Sequence, residues 1–157
     1  MSSAALYDLG ATELLAAFRS HQLSPVDFTH AVLDRAAAWE PELHATYLLR
    51  PEAALAQARA SEARWLRNAP QGLLDGVPVT IKENIATQGD PTPLGTAAVE
   101  LYPAPADAPP SARMREANAV LIAKTTMPDY GMLSSGLSSF HALTRNPWDL
   151  RKGPGGS

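Results

Sequence analysis

The feature that most constrains the fold is an unbroken apolar run, Ala119-Val120-Leu121-Ile122-Ala123, ending on Lys124. Such a run reads as a buried strand, the pattern of strands in parallel sheets. A second strand signal lies upstream, where Val77, Val79 and Ile81 alternate with Pro78, Thr80 and Lys82. That is the period of two expected of a strand, and Pro78 confines it to a strand start or a sheet edge. Between the two lies a Pro- and Thr-rich stretch over residues 88–110, read as an extended loop with one short helix around Ala97 to Leu101, and then a helix over Ser111 to Ala117. Strand, long crossover with a helix, strand: the fold class is α/β. A loop of that length usually serves function or covers something.

The first third reads as helical scaffold. Thr12 is a plausible N-cap before Leu14, Leu15 and Phe18. Ser24-Pro25-Val26-Asp27 combines a capping serine, a proline at the first helical position and an acid in the first turn. That helix is expected to run to about Trp39 and to end at Glu40-Pro41. A strand is expected over Thr46-Tyr47-Leu48-Leu49, then a helix from Pro51 to about Asn68 with a stripe of Leu55, Ala58, Glu62 and Trp65/Leu66. Pro128 to Leu133 reads as a short helix or turn.

Composition narrows function more than fold. The 157 residues carry a net charge of −3, with acids and bases interspersed, which gives no footprint for nucleic acid or a membrane surface. There is no cysteine, so disulfides, thiolate metal sites and a cysteine nucleophile are excluded. The four histidines, His21, His30, His44 and His141, show no metal-ligand spacing. No P-loop spacing is present, because Lys152 precedes the glycines. Without a signal-peptide pattern or an apolar run of spanning length, a cytoplasmic location is expected.

Two features carry chemistry. Lys82 should emerge at the C-terminal end of its strand, the side of α/β sheets on which ligands bind; a solvent-exposed lysine suits that place equally well. The second is Gly153-Pro154-Gly155-Gly156-Ser157. Glycines there let another group approach the main chain, and such turns often present a nucleophilic hydroxyl; a surface loop or linker is the plainer alternative. The chain stops within this turn, as a piece of a longer polypeptide would.

Three segments in order resemble the amidase signature family: Asp75-Gly76-Val77-Pro78-Val79-Thr80-Ile81-Lys82-Glu83-Asn84, Ala119 to Met127, and Thr144-Arg145-Asn146-Pro147-Trp148-Asp149 followed by Gly153 to Ser157. The resemblance covers about residues 70 to 157 and implies the amidase-signature fold, a mixed β-sheet core flanked by helices, here truncated. It implies an N-terminal helical region over 1–70 and the first part of the catalytic core over 71–157. It further implies a Ser–cis-Ser–Lys triad in which Lys82 is the catalytic lysine and Ser157 the bridging serine; apart from the resemblance, neither a cofactor nor a metal is expected. The acyl-accepting serine of the family lies in a second Gly-rich segment further on, so the 157-residue piece alone is expected to be inactive; activity there would turn attention to Ser134, Ser135, Ser138 and Ser139. The family relation places Gly131, Met132, Leu133, Ser134 and Ser135 near the substrate carbonyl, where plain loop packing is an equal alternative.

A lysine buried in a partly apolar site loses its ammonium form more readily and can accept a proton. A serine hydroxyl, donor and acceptor at once, can pass it on. The expected function is hydrolysis of the carbon–nitrogen bond of a small acyl or aryl amide, with a small-molecule substrate, no nucleic acid, no membrane, and room for a homodimer. Pro128 to Leu137 departs from the acidic, Phe-containing segment of family members that serve transamidation of charged tRNA, which disfavours the A subunit of a glutamyl-tRNA(Gln)-type amidotransferase. Thr126 and Ala123 stand where the family commonly has Asn and Gly. A non-catalytic fragment or binding module is the remaining alternative.

Overall fold

The computed structural model describes residues 6–155; Ser157 lies outside the described residues. In chain order the elements are α1 (Ala11–Arg19), α2 (Pro25–Leu43), β1 (Thr46–Leu49), α3 (Pro51–Leu66), β2 (Pro78–Lys82), α4 (Pro109–Glu116), β3 (Val120–Thr125) and a 3₁₀ turn (Asp129–Gly131). The strands form one mixed sheet in the order β1–β3–β2. β1 runs antiparallel to β3, pairing Thr46 with Thr125 and Leu49 with Ala123. β2 and β3 run in the same sense, since Val120 N–H donates to Val77 O at 2.8 Å and Glu83 N–H to Thr125 O at 3.0 Å. A parallel pair needs a crossover, supplied by the 83–119 stretch with α4. β3 is buried along Val120 to Lys124, as its apolar run predicts. Pro78 opens β2, an edge strand, where its missing N–H breaks no ladder.

The helix ends differ from the sequence reading, each for a local reason. The N-cap of α1 is Gly10, not Thr12; Glu13 reaches back and accepts from the Gly10 N–H at 2.7 Å. Ser24 does cap α2, accepting from the Val26 N–H at 2.9 Å. Pro41 does not end α2, which continues to Leu43. Proline removes only its own N–H there, in the last turn, and His44 N–H still donates to Glu40 O at 3.0 Å. The buried stripe of α3 is Ala54, Ala58, Ser61 and Trp65; Leu66 lies outside it. No helix forms over residues 97–101. The N–H groups of Ala97 and Ala98 donate instead to Ser139 Oγ (3.0 Å) and Thr96 Oγ1 (3.2 Å), the competition by which Ser and Thr hydroxyls divert a backbone from helix.

The described residues cluster into two compact units. One comprises the chain through residue 37 together with 50–79 and 113–122; the other comprises 38–49, 80–112 and the chain from 123. The first has an apolar centre of Leu14, Phe18, Phe28, Trp65 and Val77, with the Phe18 and Trp65 rings 6.3 Å apart. Its polar fastening is Asp75. The Arg64 guanidinium grips the Asp75 carboxylate with two bonds, Nε to Oδ2 at 2.8 Å and Nη2 to Oδ1 at 2.6 Å. Gln71 N–H donates to Oδ2 at 2.7 Å, and Trp65 Nε1–H to the Asp75 carbonyl at 3.1 Å. Gly76 follows at φ 87°, where a Cβ would meet Ser61 Oγ at 2.5 Å. Among the described residues no helix is long and apolar enough to cross a membrane.

Burial pushes the Asp75 carboxyl up, but the Arg64 hydrogen bonds, the Gln71 N–H and the Arg64 charge outweigh it and hold the group below its ordinary 3.8. A depressed folded-state value means that this stabilisation is present above the unfolded value and lost as pH falls through the folded one. Asp75→Ala leaves Arg64 unpaired and should cost about 3–5 kcal/mol in urea unfolding at neutral pH. The gap to the unaltered protein should narrow as pH drops below 3.8.

Candidate active site

Lys82 is the last residue of β2 and is half-buried. It lines a cavity of about 390 Å³ together with Thr125, Gly136, Thr144, Pro154 and Gly155. The strand-end lysine and the Gly-rich turn, remote in sequence, therefore share one cavity. Gly155 has φ 90°, the left-handed region that glycine reaches without strain. Gly136 is required by space: a Cβ there would sit 2.9 Å from Thr144 O and 3.0 Å from Pro154 Cδ.

The wall is braced by two threonines. Thr144 Oγ1 donates to His44 O at 2.8 Å and lies 3.0 Å from Thr126 Oγ1. Thr126 N–H donates to Ala45 O at 3.0 Å. The 3₁₀ turn and the loop after it are fastened in the same unit. Ser138 Oγ donates to Gly95 O and accepts from the N–H groups of Phe140 (3.1 Å) and His141 (2.9 Å). Ser139 N–H and Oγ–H both donate to Asp129 Oδ1, at 2.8 and 3.0 Å. Ser138 and Ser139 are thus engaged in holding loops.

The expected substrate-binding stretch is placed differently from Lys82. Gly131 ends the 3₁₀ turn; Met132, Leu133 and Ser134 are exposed; Ser135 is half-buried. From this loop the cavity takes Gly136 and not Gly131 to Ser135.

Sequence reasoning passed over Glu83 and His141. Glu83 is fully buried, and its Oε2 lies 2.6 Å from His141 Nε2. The imidazole meets the rings of Phe140 and Tyr47 edge-on, at 5.0 and 5.3 Å between centroids. Burial first, and then the Glu83 charge, raises the Tyr47 hydroxyl above its ordinary value. No strand signal marked it: Glu83 is the first residue past β2, inside the turn that Ile85 N–H closes on Lys82 O at 3.0 Å, where strand alternation no longer applies.

With this geometry in hand, comparison with known proteins is decisive. The family described as Amidase matches residues 27–157. The chain belongs to the amidase signature family. It is 40% identical over 152 residues to the A subunit of the glutamyl-tRNA(Gln) amidotransferase of Thermobifida fusca, an alignment covering 97% of this chain and 30% of that protein. Among solved structures it resembles a bacterial aryl acylamidase of the amidase signature family, with TM-score 0.82, 28% identity, and coverage of 95% of this chain and 31% of that one. It also resembles the peptide amidase of Stenotrophomonas maltophilia, with TM-score 0.81, 28% identity, and coverage of 91% and 31%. The chain thus spans less than a third of the length of these relatives.

Thr144→Val removes the hydroxyl that braces the cavity wall while keeping its shape. It should lower stability by about 0.5–1.5 kcal/mol, the net worth of a typical hydrogen bond, since His44 O keeps Thr126 Oγ1 at 3.4 Å; the urea unfolding midpoint reads the change.

Proposed function

We propose that this chain supplies the lysine and the bridging serine of a Ser–cis-Ser–Lys triad that hydrolyses the carbon–nitrogen bond of a small acyl or aryl amide. The observation that supports this reading is the shared cavity of Lys82 with Pro154 and Gly155, which immediately precede Gly156-Ser157. In this reading Lys82 accepts a proton through the Ser157 hydroxyl from a nucleophilic serine, which the family resemblance puts further along a longer chain. The activated hydroxyl attacks the amide carbonyl and forms an acyl-enzyme. The proton returns through Ser157 to the departing amine, and water releases the acid. The resemblance to a solved aryl acylamidase favours small acyl and aryl amides as substrates.

A second reading has its own support. Identity reaches 40% with an amidotransferase A chain but 28% with the solved aryl acylamidase and peptide amidase. In that reading the amide is glutamine, the released ammonia is passed on, and the protein works with partner chains. Copurification of a partner and glutamine-dependent amidation of charged tRNA would establish it; a homo-oligomer that cleaves simple amides would eliminate it.

Both readings need Lys82 as the base. In protein carrying the complete triad, Lys82→Ala should lower kcat for amide hydrolysis by about 10²- to 10⁴-fold, with circular dichroism unchanged. Turnover at the unaltered rate would remove Lys82 from the mechanism.

A further inference from the structure

β2 carries Lys82 to the cavity, but a strand end fixes only backbone, and a lysine stem is long and flexible. The residue after it is the more informative one. Glu83 is fully buried, with one carboxylate oxygen on His141 Nε2 at 2.6 Å. The other, Oε1, has no hydrogen-bond partner among the described residues. Both members of the pair are clamped. Glu83 N–H donates to Thr125 O at 3.0 Å, and His141 N–H to Ser138 Oγ at 2.9 Å, with the imidazole packed edge-on against Tyr47 and Phe140. The chain around them is tight as well. Ile85 N–H donates to Lys82 O at 3.0 Å, and the buried Lys124 Nζ donates to Ile85 O at 3.1 Å.

As a stabiliser such a pair is a poor choice. Apolar side chains of similar volume in place of both members of a buried hydrogen-bonded pair are often neutral or better, and the Oε1 atom adds an unmet polar group. Location supplies the missing reason. Glu83 is the first residue of the turn that Ile85 N–H closes on Lys82 O, so a locked Glu83 side chain fixes the peptide that follows Lys82 and with it the direction in which Lys82 leaves the backbone. We infer that the Glu83–His141 pair is a positioning device for Lys82, acting through the strand end and not on the substrate. The inference rests on the reading of Lys82 as the base.

Selective ¹³Cε-lysine labelling of the full-length protein gives a spectrum in which a Lys82→Arg variant assigns the Lys82 signal. In the unaltered protein the Lys82 signal should be displaced from the free-lysine position and show restricted motion. In the double variant Glu83→Leu/His141→Phe, which should fold with an equal or higher thermal midpoint, it should collapse to the free-lysine position. His141→Gln keeps an N–H donor toward Glu83 and should restore the displaced signal. An unmoved Lys82 signal in the folded double variant overturns the inference. If that variant fails to fold, Glu83→Gln, which removes the carboxylate from the pair, is read by the same signal: a shift toward the free-lysine position is expected, and an unmoved signal overturns the inference. The readout does not depend on turnover, so it can fail while Lys82→Ala still abolishes hydrolysis, and the reverse.

Discussion

The approach to β2 depends on one carboxylate. Asp75 takes both fork bonds of Arg64 from α3 and the backbone N–H of Gln71, and its carbonyl takes the indole N–H of Trp65. Side chain and main chain of a single residue therefore tie the 71–76 turn to the helix that packs its Trp65 into the apolar centre. With Asp75 held, Gly76 must turn at positive φ against Ser61, and Val77 enters the core. The strand that ends on Lys82 starts from this fixed point. The start of the strand sets its register, and a slip of one residue would carry Lys82 to the other face.

Both units bury polar side chains. The first sets Thr29, Ser61 and Asp75 beside its apolar centre. The second buries Glu83, Lys124, Thr87 and Asp90. Polar groups removed from water need partners, and many of these have them: Thr87 Oγ1 donates to Asp90 Oδ2 at 2.7 Å, and Lys124 Nζ to Ile85 O. An interior of that kind gives up hydrophobic gain, and what it provides in return is direction, since hydrogen bonds fix angles where apolar contacts do not. It lies in the unit that holds the cavity.

Strands and crossover were legible because periodicity and prolines report directly on backbone pairing. The apolar run at Ala119 and the alternation at Val77 correspond to β3 and β2, and Lys82 falls at the strand end. Helix boundaries were less legible, because capping is decided by which side chain reaches the free N–H. Glu13 does so for α1, and Thr12 does not. Residues 97–101 carry helix-compatible alanines, yet their donors are taken by hydroxyls, one of them on a residue more than forty positions away. No local pattern contains that information. His141 was invisible for the same reason. As one of four scattered histidines it carries no spacing signal, and its partner Glu83 is brought to it only by the fold.

The cavity itself shows why a glycine-rich motif can announce a site whose walls are otherwise unremarkable in sequence. Apart from Lys82 and Met127, its lining is small residues and prolines, among them Gly136, Gly155, Pro154, Thr126 and Thr144. Glycine and proline are set by conformation, so they stand out as punctuation in the sequence. The threonines contribute through bonds to the His44 and Ala45 carbonyls, which depend on where α2 ends. Because α2 continues through Pro41 to Leu43, those carbonyls arrive where the threonines can meet them. The helix end that the sequence misplaced is therefore one of the features that shapes the cavity.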